Sequence, residues 1–193
     1  MSDDYLEDEE YKMKIRSILF AILVFVSSPL AFPANCNISP AEEEKLLSMS
    51  YDIFDQSENG WRQYAKNSCY YQTGNLIDTY LEKNKNLLQD WQIIGITWHA
   101  GQMYAFNNNY EIAKTRFEHS INPNEPENTP IRWNDYVNAT IAFLNGDMTK
   151  LKFYRDKIAN GPTFNGKKQN LDVVDNLIQY FGQPYSVAYH PNG

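Results

Sequence analysis

Two cysteines and three histidines are all that this 193-residue chain holds of the usual soft metal ligands. His99, His119 and His190 fall in no two-histidine metal motif, and no cysteine cluster exists, so the pattern of a zinc site is missing. A glycine-rich phosphate loop and a G-x-S-x-G nucleophile turn are equally missing. Basic residues are outnumbered 17 to 24, for a net charge of −7, which argues against nucleic acid as a partner. The unbroken apolar run Ile18 to Val26 is shorter than the roughly 20 residues a membrane-spanning helix needs. No cofactor and no metal are therefore expected, and the familiar phosphoryl- and acyl-transfer motifs are out.

What is present begins with an acidic leader, MSDDYLEDEEYK, followed by Lys14, Arg16, the apolar run and the small-residue exit SSPLAFPA. A basic flank, a short apolar segment and small residues make a secretory signal peptide. The leader before it is explained if translation starts at Met13. Residues 1–34 are thus read as leader and signal, and 35–193 as one domain. Cleavage moves the net charge from −7 to −4. The mature chain is expected in the periplasm or secreted, touching a membrane only if the signal stays uncleaved. There its two cysteines, Cys36 and Cys69, would be oxidised to a disulfide, with two buried thiols as the alternative.

The hydrophobic content of 42% suits a sizeable core, and the local signals read as helices. Ser39, Pro40 and Glu42 form a capping box for a first helix reaching about Gln56, with Ser57 to Gly60 ending it. Thr129 and Pro130 start a helix over Ile131–Asn145, and Asp147 caps Met148–Asn160. Residues Gly161–Lys168 are a loop by composition. Asn170 opens Leu171–Phe181, which Gly182 and Pro184 close, leaving a loosely attached tail. Between these lies Trp98–Pro123, two amphipathic helices around the turn Asn107–Asn109, with Ala100, Gly101, Ala105 and Ala113 where backbones come close.

The order Gly101, Tyr104, Tyr110, Ala113, Phe117 resembles a tetratricopeptide-type helical hairpin. Taking Gly74, Asn108 and Gly146 as successive tight turns, the first two stand 34 residues apart, the period of that family. The resemblance implies an all-α fold: a right-handed stack of about three such hairpins with N- and C-terminal capping helices. The stretches WNDYVNATIAFLNGD and NLDVVDNLIQYFGQPY are also similar to short, uncharacterised exported bacterial proteins, a likeness that implies no activity.

Stacked hairpins create a concave face, and on this spacing Trp61, Tyr64, Trp98, Trp133 and Tyr136 recur on it, with Tyr71, Phe106 and Phe143 nearer the turns. Such rings either fill the seams between hairpins or line a groove for a peptide. The groove reading makes the chain a non-catalytic adaptor or scaffold for a protein or peptide partner. A second reading is a small secreted enzyme using His99, with Asp135 and Asp172 or Asp175 brought near by stacking. It requires His99 beside a carboxylate and open to solvent. A third is an exported inhibitor or immunity-type protein acting through the convex face or the Asn122–Pro130 loop.

Overall fold

The computed structural model describes residues 36–191, and the expected leader and signal over 1–34 lie outside them. Among the described residues the chain is all-α, with helices and one 3₁₀ turn and no strand. In order these are α1 (Pro40–Leu47), α2 (Tyr51–Phe54), α3 (Arg62–Ala65), α4 (Tyr70–Asn84), a 3₁₀ turn (Lys85–Leu87) and α5 (Asp90–Phe106). Then follow α6 (Tyr110–His119), α7 (Trp133–Leu144), α8 (Met148–Asn160), α9 (Leu171–Gln179) and α10 (Tyr185–Tyr189). None of the described helices is long and apolar enough to cross a membrane.

The arrangement turns on α5. The sequence from Trp98 reads as amphipathic, but past its exposed first turn DWQIIGITWHAGQMYAF carries apolar or small residues on all faces, and a stretch of that kind is covered on every side. From Ile96 to Ala105 every residue except His99 is buried. Its Ile96, Ala100 and Met103 join an N-terminal core with Leu46, Phe54, Ile77 and Tyr80. Its Trp98, Tyr104 and Ala105 join a C-terminal core with Phe117, Val137, Leu151 and Leu177. Helix α5 packs against α4 on one side and α6 on the other, while α7 pairs with α8, and α9 lies against both.

Two of the expected turns are where the sequence puts them. Asn108 (φ 61°) joins α5 to α6 and Gly146 (φ 68°) joins α7 to α8, each in the left-handed region. The Asp147 side chain accepts from Lys150 N–H at 2.9 Å, capping α8, and Ser39 Oγ accepts from Glu42 N–H to cap α1. Gly74 is not a turn. It lies inside α4, where a Cβ would stand 2.9 Å from Cζ of Tyr104, so the missing side chain admits the Tyr104 ring. The partner of α5 on this side is therefore the whole of α4, and the 34-residue spacing from Gly74 to Asn108 does not join two turns.

Three other expectations need correction. The first helix is broken: Ser48 Oγ donates to the Lys45 carbonyl at 2.8 Å and Ser50 is extended, so two serines compete with the helical backbone at residues 48–50. Helix α7 starts at Trp133 rather than after Thr129. Its N-cap, Arg132, is left-handed (φ 50°, ψ 48°), a conformation costing about 1–2 kcal/mol. The Arg132 guanidinium offsets that cost by donating to Asp135 Oδ2 and to the Glu127 carbonyl, both at 2.7 Å. The tail is not loose, because Tyr185 and Ala188 on α10 are fully buried against the C-terminal core.

The chain carries the disulfide Cys36–Cys69, with Cα atoms 5.4 Å apart, which ties the segment before α1 to the start of α4. It closes a loop spanning a sequence separation of 33. Reduction, or Cys69→Ser, is expected to cost on the order of 3–4 kcal/mol by loop entropy. The check is urea unfolding with and without reductant, with Trp61 fluorescence reporting the N-terminal core. An unchanged midpoint would mean that this segment is already held without the bond.

Candidate functional site

Helices α2, α3 and α5 bring one polar group into the N-terminal core. Asp55 ends α2 and is completely buried. Its Oδ1 lies 2.8 Å from His99 Nδ1 and accepts from Trp61 Nε1–H at 2.9 Å, while Oδ2 accepts from Gln56 Nε2 at 2.5 Å. Burial pulls the Asp55 carboxyl upward. The hydrogen bond and charge of His99, the Trp61 bond and the charge of Arg62 outweigh it, holding the group below its ordinary value. An ionised Asp55 has only acceptors to offer, so the His99 nitrogen facing it carries a proton. The His99 side chain is 22% exposed and that of Asp55 not at all, so the imidazole shows its far edge to solvent. Beside it, Tyr51 is pushed up to about 12, chiefly by burial and then by the Asp55 charge.

The His99 ring lies 5.4 Å from the Trp61 indole, and the Arg62 guanidinium carbon lies over that indole, 4.2 Å from its centroid. Chemically this is a histidine oriented by a buried carboxylate, able to move a proton at its outer nitrogen. The carboxylate is none of Asp135, Asp172 and Asp175, the ones the sequence puts forward. Asp135 is buried with Arg132 and Lys157, the latter 2.9 Å from Oδ1, and Asp175 pairs with Arg155 at 2.7 Å. Asp172 is exposed on α9. No pattern in the sequence links Asp55 to His99, 44 residues away.

The aromatic residues expected on one face are mostly packed. Trp61 (3% exposed), Trp98 (4%), Tyr136 (3%) and Phe143 (6%) are buried. Trp98 alone meets Phe117 at 4.4 Å, Tyr136 at 4.7 Å and Trp133 at 5.2 Å. Phe106 is half-buried between Tyr70 and the α10 rings Tyr185 and Tyr189, and Tyr64 packs on the N-terminal core. Only Tyr71 of the eight is exposed, with its ring edge-on to Tyr104. These rings serve as seams between helices at the positions described.

An open cleft of about 580 Å³ runs over α5 between α4 and α6. Its floor is Ile93 and Thr97, and its wall an ion pair: Arg116 donates from Nε to Asp78 Oδ1 at 2.7 Å and from NH2 to Oδ2 at 2.9 Å. The Tyr104 hydroxyl donates to the same carboxylate at 2.7 Å. Burial, reinforced by Asp78, raises the Tyr104 phenol well above its ordinary value. Glu82, Lys85 and His119 complete a rim of mixed charge. Among the described residues no group of three or more His, Cys, Asp or Glu could hold a metal.

Comparison with protein-family models, with curated proteins and with solved structures finds no match.

Proposed function

We propose that the chain is a non-catalytic adaptor of tetratricopeptide-like build, exported to the periplasm or secreted, which holds a protein or peptide partner. The observation that carries this reading is the open, mixed-charge cleft over α5, walled by Asp78 and Arg116. A groove between two helices, with an apolar floor and paired charges at its side, suits an extended segment that supplies both apolar and polar contacts. The α5–α6 and α7–α8 hairpins support the family likeness, and the disulfide suits an oxidising compartment. A bulky plug tests it. Thr79→Trp, at an exposed position of the cleft, is expected to cut partner capture from the native compartment at least tenfold, while Lys152→Glu on exposed α8 leaves it unchanged. Equal capture by the two variants would move the interface elsewhere.

One observation favours a second reading, a small enzyme using His99. The imidazole has a carboxylate at 2.8 Å and an edge open to solvent, the two conditions that acid/base work sets. Under this reading any turnover found by substrate screening disappears in His99→Gln and falls sharply in Asp55→Asn, with the fold checked by circular dichroism. Activity surviving in His99→Gln would discard it.

A further inference from the structure

Two of the aromatic residues that the sequence offers for a peptide groove, Phe106 on α5 and Phe143 on α7, are covered by the chain's own tail helix. The Tyr185 ring centre stands 5.3 Å from that of Phe106 and 6.2 Å from that of Phe143, and Tyr189 meets Phe106 edge-on at 5.4 Å. Phe117 of α6 adds a third ring, 6.4 Å from Tyr185. The two tyrosines are four residues apart on one face of α10, and Ala188 is buried with Tyr185. This is how a short helix lies in a groove, through anchors one turn apart.

The tail is held by little else. Tyr185–Tyr189 carries no charged side chain, so no ion pair fixes it. Among the described residues its backbone reaches another element through one hydrogen bond, from Tyr185 N–H to the Tyr110 hydroxyl at 3.2 Å. The Tyr185 hydroxyl itself is buried with no hydrogen-bond partner: Gln102 is near enough to act on the phenol but stands outside hydrogen-bond geometry. A buried hydroxyl left in that state weakens the docked arrangement relative to one in which it meets water. Between α9 and α10 the exposed Gly182 is left-handed (φ 85°) and Pro184 follows it, a hinge at which α10 can swing while α9 stays packed.

We propose that α10 is an internal ligand: it fills a docking groove on α5 and α7 for an uncharged partner segment that carries two aromatic residues one helical turn apart, and such a segment displaces it. The kind of partner is read from the occupant, since Tyr185, Ala188 and Tyr189 are what the Phe106, Phe117 and Phe143 rings accept. A tethered occupant makes the groove self-limiting, because a partner binds only the fraction of chains in which α10 has left. None of these residues lines the cleft walled by Asp78 and Arg116, so the groove is a second surface and stands whether or not that cleft holds a partner.

The test uses the whole chain and a fluorescein-labelled synthetic peptide copying residues 183–191, QPYSVAYHP, with binding followed by fluorescence anisotropy. Tyr185→Ala, which removes the main anchor of the occupant and leaves the groove untouched, is expected to bind the peptide roughly tenfold or more tighter than the parent. Tyr185→Phe, which deletes only the unpaired hydroxyl, is expected to hold α10 more firmly and to bind the peptide more weakly than the parent. A control peptide with both tyrosines replaced by serine is expected not to bind. Far-ultraviolet circular dichroism checks the fold of each variant, and should Tyr185→Ala fail to fold, Tyr189→Ala on the half-buried second anchor is expected to shift binding the same way. The proposal is overturned if the parent and the tail variants bind the peptide equally or not at all, if the serine peptide binds as well, or if Tyr185→Phe binds more tightly than the parent. A parent that dimerises with rising concentration while taking no peptide gives the groove to the tail of a second copy, and overturns it too.

Discussion

Gly60→Ala is expected to destabilise the fold by about 3 kcal/mol or more, the largest effect of any single added methyl group here. Gly60 is buried in the turn between α2 and α3, and a Cβ on it would stand 1.9 Å from the Phe54 carbonyl oxygen, 2.5 Å from its carbon and 2.7 Å from the Ile53 oxygen. All three are backbone atoms at the end of a helix, so no side chain can swing aside. The turn must open instead. That movement pulls apart the hydrogen bond from Trp61 N–H to the Phe54 carbonyl, 3.3 Å long, and draws the indole away from Asp55. Gly74 and Gly101 meet aromatic rings at 2.9 and 2.7 Å, contacts that a small rotation of helices can relieve in part. A fall in melting temperature of roughly 10 °C is the expected readout. A change of only a degree or two would show that the turn relaxes freely.

Asp55→Asn carries the second large effect, about 2–4 kcal/mol at neutral pH. The amide keeps one acceptor, but its NH₂ faces Gln56 Nε2, now donor against donor, and the His99 and Trp61 hydrogens share what remains. The change also alters the pH dependence in a defined direction. The folded carboxyl lies below its ordinary value of 3.8, so on acidification the unfolded chain takes up the proton first. The stability contributed by Asp55 is therefore complete above about pH 4 and drains away as the pH falls through the folded value. Parent and variant should differ most near neutrality and converge below that window, when unfolding is followed by urea titration at several pH values. Parallel curves across the acid range would mean that Asp55 is not ionised in the fold.

Wherever a structural feature depends on a few adjacent residues, it could be read directly from the chain. Asn108 and Gly146 tolerate the left-handed backbone, so they announce their turns, and Asp147 announces a cap because its carboxylate reaches an N–H three residues on. Cys36 and Cys69, the only pair, left one intramolecular disulfide to form. Gly74 failed as a turn for a related reason: glycine serves both left-handed turns and close helix contacts, and only the Tyr104 ring lying on it tells which. The helix start at Thr129 and Pro130 failed as well, since the left-handed Arg132 that delays it is held by Asp135 and Glu127 and not by any residue with a local preference for that conformation.

The candidate site was legible only at one end. His99 stood out as one of three histidines, yet its partner is an aspartate at the end of a separate helix, and no motif links either to Trp61 beside them. The sequence alone determined an all-helical chain and two hairpin turns and made a disulfide the expected state of its two cysteines, because propensity, periodicity and capping act over one or two turns of helix. Only the tertiary structure decided that the aromatic rings fill seams, that the tail is core, and that Asp55, Trp61, Arg62 and His99 meet. Those outcomes depend on how α2, α3 and α10 seat against α5, and side-chain packing between distant segments leaves no periodic trace in the chain.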